Sequence, residues 1–245
     1  MRLLQGRGSF PRAMNLIPQA VRDAFGWALN PIVRLLIRMR VRPNAVSATG
    51  TVVIVGSAAA FALGRIHWGG FLLLVSGLFD MVDGRVAREG GMSTPFGAFF
   101  DSTLDRVGES ALFTGIGVFF LRGGVEPDRL TLALVACFVA LAASLLVSYA
   151  RARAEGLGFT CRVGIAQRAE RIILLGAPTM IFGAGNRGAL LFWIVALFAL
   201  VTTVTVVQRV AYVARAAGKP AAGHSPRPRD ALPGHASALP SRKGH

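Results

Sequence analysis

The feature that most constrains this chain is the way its apolar residues are grouped. They fall in blocks near the length needed to cross a bilayer, separated by stretches in which arginine is dense. Of 245 residues, 53% are hydrophobic and 16% charged, with a mean hydropathy of +0.54, a balance that a water-soluble domain of this size would not keep in solution. An ordinary soluble enzyme is therefore excluded, and the expected fold class is an all-α integral membrane protein. Six transmembrane helices are predicted at about 45–63, 68–81, 96–121, 130–149, 172–182 and 189–210. The second and fifth are short on an apolar count. Both are extended through polar ends whose charges read as site residues rather than lipid-facing ones.

Lys and Arg number 27 against 12 acidic residues, a net charge of +15 that in a soluble chain would suggest a nucleic-acid partner. Placement argues against one, because the basic residues lie between apolar blocks rather than together on one water-exposed face. All but Arg65, Arg122, Arg129 and Arg187 fall near the termini or in the second and fourth connections with their adjoining helix ends. That asymmetry places both termini and those two connections in the cytoplasm, and a multi-pass protein of the cell membrane is expected. The first twenty residues show no compact apolar run followed by a small-residue cleavage site. Cys137 and Cys161, one mid-span and one in a basic loop, suggest neither a disulfide framework nor a zinc site.

Ahead of the first span, residues 24–40 read AFGWALNPIVRLLIRMR. Phe25, Leu29, Ile32, Leu35, Leu36 and Met39 share one face at helical spacing, with Arg34 and Arg38 opposite. This is the pattern of an interfacial amphipathic helix, kinked at Pro31, with its arginines near the headgroups of the lipid bilayer. Residues from 217 onward are rich in Pro, Ala, Gly and Ser without apolar periodicity, and disorder is expected there. The chain thus divides into a cytoplasmic N-terminal segment with its interfacial helix (1–43), a six-helix membrane domain (44–216) and a tail (217–245).

The acids are the informative residues. Asp80, Asp83, Asp101 and Asp105 gather near the cytoplasmic ends of the second and third spans, where a carboxylate costs several kcal/mol unless paired, hydrated or bound to a cation. Spacings of three and four put each pair on one face of its own helix. Two facing pairs would form a cage of hard oxygen donors suited to Mg²⁺ or Mn²⁺, and four acids admit a pair of ions of the kind used in phosphoryl transfer. Neutralisation by Arg85, Arg88 and Arg106 in a structural network, or a cation pathway in a transporter, would also account for the spacing. Between the pairs lie four glycines with Arg85 and Arg88, permitting close backbone approach and fork-shaped recognition of phosphate.

Read as one string, D-x2-D-G-x2-A-R-x8-G-x3-D-x3-D from Asp80 to Asp105 resembles the signature of the CDP-alcohol phosphatidyltransferase family, with all eight fixed positions present. The six-span layout with an interfacial helix resembles that family across about residues 24–215. The resemblance implies transfer of a phosphatidyl group from a CDP-linked lipid, CDP-diacylglycerol, to an alcohol with release of CMP. It further implies that Asp80, Asp83, Asp101 and Asp105 hold two Mg²⁺ or Mn²⁺ ions, with Asp105 also the base for the attacking hydroxyl. Gly84, Ala87, Arg88 and Gly97 would shape the CDP pocket. Thr94 and the segment Asn44, Ala45, Val46 and Ser47, following Pro43 in a family-like PN-x2-S/T pattern, would contact the nucleotide as well. A homodimer is expected from the same resemblance.

The fourth connection, SYARARAEGLGFTCRVGIAQRAER, is dense in arginine, and Arg209 lies in the sixth span, where an arginine is costly without an anionic partner. Such a cluster suits an acceptor that itself carries a phosphate. Here SYARARAEGLG, QRAER and VVQRV resemble the branch that makes phosphatidylinositol phosphate, or its archaeal ether-lipid counterpart, from inositol 1-phosphate. In that branch Arg151, Arg168, Arg171 and Arg209 would contact the acceptor phosphate, Arg151 standing where some members carry Lys. Glycerol 3-phosphate is also anionic, so a phosphatidylglycerophosphate synthase is the alternative. A metal-ion transporter fits less well, because its acids belong near the bilayer centre rather than at one edge.

Overall fold

The computed structural model describes residues 19–161, 163–165 and 168–217, with the side chains of 19–25 outside that description. Among the described residues it contains seven α-helices and no strand: α1 (Gln19–Arg38), α2 (Pro43–Ala62), α3 (Ile66–Glu89), α4 (Pro95–Phe119), α5 (Leu130–Gly156), α6 (Arg168–Phe182) and α7 (Ala189–Ala217). The N-terminal segment before residue 19 and the tail from 218 lie outside the described residues. Prolines open α2 and α4, where the missing N–H costs no helical hydrogen bond. The reversal between α3 and α4 runs through Gly90 and Gly91, the latter at φ 64, a conformation glycine adopts without strain.

Three helical stretches, Pro43–Ala62, Pro127–Gly156 and Asn186–Ala217, are long and apolar enough to cross a membrane. The other helices fall short for visible reasons. α3 and α4 carry the acids at their facing ends, and α6, with 15 residues, is about 22 Å long against a hydrocarbon core of about 30 Å. Many large apolar side chains point outward, among them Val52, Phe138, Trp193 and Leu200, each at least 60% exposed, a surface that lipid rather than water would cover. The chain is a membrane protein.

α2 packs against α3 and α4, α5 against α7, and α6 along α3. Small residues set these approaches. A Cβ on Gly115 would lie 2.2 Å from the Ala58 carbonyl oxygen, and one on Gly70 would lie 2.5 Å from the Met180 nitrogen. The larger apolar core, with Phe61, Leu73, Ile116, Phe120, Leu175 and Leu191, fills the middle of the bundle. A smaller one joins Leu29 and Val33 of α1 to Val46, Val82 and Val86, beneath the acid-bearing end of α3.

That second core revises the reading of the N-terminal helix. Leu29 and Val33 are buried, and Leu36 packs beside them, but Ile32, Leu35 and Met39 are exposed together with Trp27. The apolar arc is wider than one seam: one edge seals α3 and the other faces outward, as expected of a helix with protein on one side and lipid on the other. Arg85 secures the arrangement, donating to the Gly26 carbonyl at 2.8 Å and to Asn30 Oδ1 at 2.5 Å, with Glu89 Oε1 2.8 Å from its Nε.

Candidate functional site

The last turns of α3, the first turns of α4 and the start of α2 enclose a cleft of about 160 Å³. Its walls contain most of the residues singled out for nucleotide contact: Asn44 and Ser47 from α2, Gly84, Ala87 and Arg88 from α3, Thr94 and Gly97 from α4. Asp83 and Asp101 line it too. Ala45 and Val46 do not. Ala45 is exposed and Val46 sits in the smaller core, because consecutive helical residues point about 100° apart and only Asn44 and Ser47 face the cleft.

Local chemistry shapes these walls. Thr94 Oγ1 accepts the Gly97 N–H at 2.9 Å and caps α4, fixing where the acids of that helix begin. A Cβ on Gly97 would come within 3.1 Å of both Asn44 Oδ1 and Thr94 Oγ1, so the smallest residue lets the start of α2 meet the capped start of α4. Asp83 is 5% exposed and accepts the Ser47 hydroxyl at 2.7 Å. Arg88 and Asp101 make no side-chain hydrogen bond or ion pair among the described residues.

Asp80 and Asp105 lie one helical turn farther from the α3–α4 reversal than Asp83 and Asp101. Arg168, at the start of α6, stands between them, with its Nε 2.8 Å from Asp80 Oδ2 and its Nη1 against Asp105 Oδ2. The Asp80 contact is close but poorly aligned, so that buried oxygen receives no hydrogen bond. Asp105 also lies 3.6 Å from Arg106 Nη2. As placed, no three Asp, Glu, His or Cys side chains among the described residues close on one point that would hold a metal ion. The donor set nevertheless suits a hard divalent cation: four carboxylates on two facing helices, one with an orphaned buried oxygen, balanced here by a guanidinium.

The arginines of the acceptor reading are less alike than their sequence suggests. Arg151 is exposed and pairs with Glu155 at 2.9 Å. Arg209 donates to the carbonyls of Val163, at 3.1 Å, and Val147. Arg171 is 6% exposed, 3.4 Å from Glu109 and hydrogen-bonded to the Ser144 hydroxyl. Arg168 and Arg209 both lie within coulombic reach of Arg171, and Arg151 within that of Arg209, so the four form one basic array. Glu109, buried between Arg106 and Arg171, was not among the expected site residues. The available signal was its spacing, four beyond Asp105 and eight beyond Asp101 on the same helical face.

A model of the CDP-alcohol phosphatidyltransferase family matches residues 40–205. The chain is 36% identical over 201 residues to the phosphatidylinositol phosphate synthase of Cutibacterium acnes, covering 78% of this chain and 95% of that protein. It is 34% identical to the enzyme of the same name from Streptomyces avermitilis, covering 86% and 88%. It is 39% identical to the archaetidylinositol phosphate synthase of Methanothermobacter thermautotrophicus, over 61% of this chain and 74% of that one. Among solved structures, Mycobacterium tuberculosis phosphatidylinositol phosphate synthase with CDP-DAG bound superposes with a TM-score of 0.65 at 32% identity, covering 75% of this chain and 92% of that chain. The same enzyme in complex with manganese and citrate gives 0.65 at 33% identity, covering 75% and 87%.

Proposed function

Because the chain belongs to the CDP-alcohol phosphatidyltransferase family, and is thus a transferase, we propose that it moves the phosphatidyl group of CDP-diacylglycerol onto inositol 1-phosphate. The products are CMP and phosphatidylinositol phosphate. The observation that carries this reading is the juxtaposition of the cleft holding Arg88 and Asp101 with an array of arginines that meets Asp105 through Arg168. The M. tuberculosis enzyme that binds CDP-DAG supports the donor, and the names of the relatives support the acceptor.

In this reading the cytidine diphosphate enters the cleft of α2, α3 and α4, with Asn44, Ser47 and Thr94 on the nucleotide and Arg88 on the departing phosphate. Asp80, Asp83, Asp101 and Asp105 would hold two divalent ions, which supply offsetting charge to the phosphates. Asp105 takes the proton of the attacking hydroxyl as the new oxygen–phosphorus bond forms and the bond to CMP breaks. Arg151, Arg168 and Arg209 receive the acceptor phosphate, Arg168 delivering it next to the base it already touches. Arg171, enclosed and already engaged, stands behind them.

The same proposal takes α2 to α7 as six spans and α1 as the interfacial helix, with both termini and the site facing the cytoplasm. The 44–216 region is the catalytic membrane domain, and it works as a homodimer. Acyl chains then remain in lipid while nucleotide and acceptor arrive from water. The test is purified protein in lipid with CDP-diacylglycerol, Mg²⁺ or Mn²⁺, and separately inositol 1-phosphate, inositol, glycerol 3-phosphate or serine. CMP and phosphatidylinositol phosphate are expected with the first alone. CMP with glycerol 3-phosphate instead would reassign the acceptor, and no CMP with any of them would remove the reading.

A further inference from the structure

Glu109 occupies none of the signature positions, yet it sits at the junction of three helices. Its carboxylate lies 3.2 Å from Arg106 Nη1 and 3.4 Å from Arg171 Nη2. Both arginines are then anchored on α5. Arg106 donates to the Ser144 carbonyl at 3.4 Å and to the Ser148 hydroxyl, while Arg171 donates to the hydroxyl of fully buried Ser144. The Arg171 guanidinium also rests 6.0 Å from the centre of the Phe198 ring on α7. α6 packs on α3 and touches α7 but makes no extended backbone contact with α4. What ties the two together is a pair of side-chain bridges, Arg168 to Asp105 and Arg171 to Glu109.

We propose that Glu109, through Arg106, Arg171 and Ser144, is the positioning residue that sets α6 against α4 and so holds Arg168 beside Asp105. Arg171 acts through this joint and does not touch the acceptor. The cavity beside Arg171 is about 20 Å³, close to the room one water needs and too small for a phosphate. A carboxylate enclosed by two guanidinium groups is also hard to displace, since withdrawing it leaves desolvated cations without a counter-charge. The donor cleft lies on α2, α3 and the first turns of α4, apart from this joint. Loss of Glu109 therefore misplaces the acceptor's arginine while leaving the donor's walls intact.

This inference rests on the proposed function in taking Asp105 as base and Arg168 as an acceptor contact. The experiment measures KM for CDP-diacylglycerol and for inositol 1-phosphate in the wild type and in Glu109→Gln, Arg171→Gln, the double variant and Ser144→Ala. Each charge variant should raise the acceptor KM about tenfold, within the coupling expected of a shared ion-pair network, with the donor KM within about twofold of wild type. The double variant should be no worse than the poorer single one, because both remove one joint. Equal rises for both substrates, additive losses in the double variant, or a wild-type acceptor KM in Glu109→Gln would overturn it. Should the charge variants fail to fold, Ser144→Ala decides: it should raise the acceptor KM alone, and no change would overturn the proposal. A wild type that releases no CMP would instead count against the proposed function itself.

Discussion

The two halves of the site treat their charges differently. In the donor cleft, Arg88 and Asp101 have no side-chain partner among the described residues, and Asp83 is held by the hydroxyl of Ser47 and the Gly84 backbone rather than by a counter-charge. On the acceptor side the four candidate arginines are all engaged: Arg151 with Glu155, Arg168 with two aspartates, Arg171 with Glu109 and Ser144, and Arg209 with two backbone carbonyls. A charge kept without a partner at a helix end is poised for a ligand, and its removal harms binding more than folding. A charge already paired must exchange partners on binding, so its removal touches structure and affinity together.

The sharpest way to break this comparison is at the residue where the halves meet. Asp105→Asn keeps the shape of the side chain but removes the proton acceptor, and it strips Arg168 and Arg106 of a shared counter-charge. CMP release should fall by at least about 100-fold, in the range set by loss of a general base, while the protein still purifies folded. Measured turnover close to wild type would take Asp105 out of the chemistry.

Next in size is Arg88→Gln. Since no side chain among the described residues pairs with the guanidinium, thermal stability should be unchanged, whereas KM for CDP-diacylglycerol should rise about tenfold or more through loss of a charge-assisted phosphate contact. Arg209→Ala should do the reverse in kind. Its bonds to Val147 and Val163 join α5 and the loop that follows it to α7, so Tm should drop, and KM for inositol 1-phosphate should rise about tenfold with the donor KM unmoved. A stability loss in the Arg88 variant larger than in the Arg209 variant would show that the contrast between the two halves is misdrawn.

The same contrast explains what the sequence made legible. The donor cleft is built from residues close in the chain: the signature spans one helix end, one turn and the next helix start, so spacing alone brought Asp83, Gly84, Arg88, Gly97 and Asp101 together. Asn44 and Ser47 share a face at a separation of three, while Ala45 and Val46 between them turn away, a distinction that a run of four consecutive residues hides. The acceptor side is assembled from α5, α6 and α7, and what each arginine meets depends on tertiary packing. That is why Arg171 read as a ligand contact but lies enclosed, and why Glu109 was passed over: its role comes from Ser144 on one neighbour and Arg171 on another. α1 was legible as amphipathic, but which part of its apolar arc meets protein was settled by Val82 and Val86, two helices further along the chain.

The smallest effect should come from Thr94→Ala. The hydroxyl caps α4 by accepting the Gly97 N–H at 2.9 Å, and loss of such a cap costs about 1 kcal/mol, a modest fall in Tm for a protein with this much buried apolar surface. Because α4 begins at this cap, its first turn would fray toward the cleft and disturb Gly97 and Asp101 before it disturbed anything on α5 to α7. KM for CDP-diacylglycerol should therefore rise severalfold, by about the factor that a lost cap implies, and Thr94→Ser, which retains the acceptor oxygen, should recover most of it. The acceptor KM should stay at its wild-type value in both variants. A rise in the acceptor KM with Thr94→Ala would mean that the two halves of the site move as one body, and the distinction between poised and paired charges would then have to be drawn inside each half rather than between them.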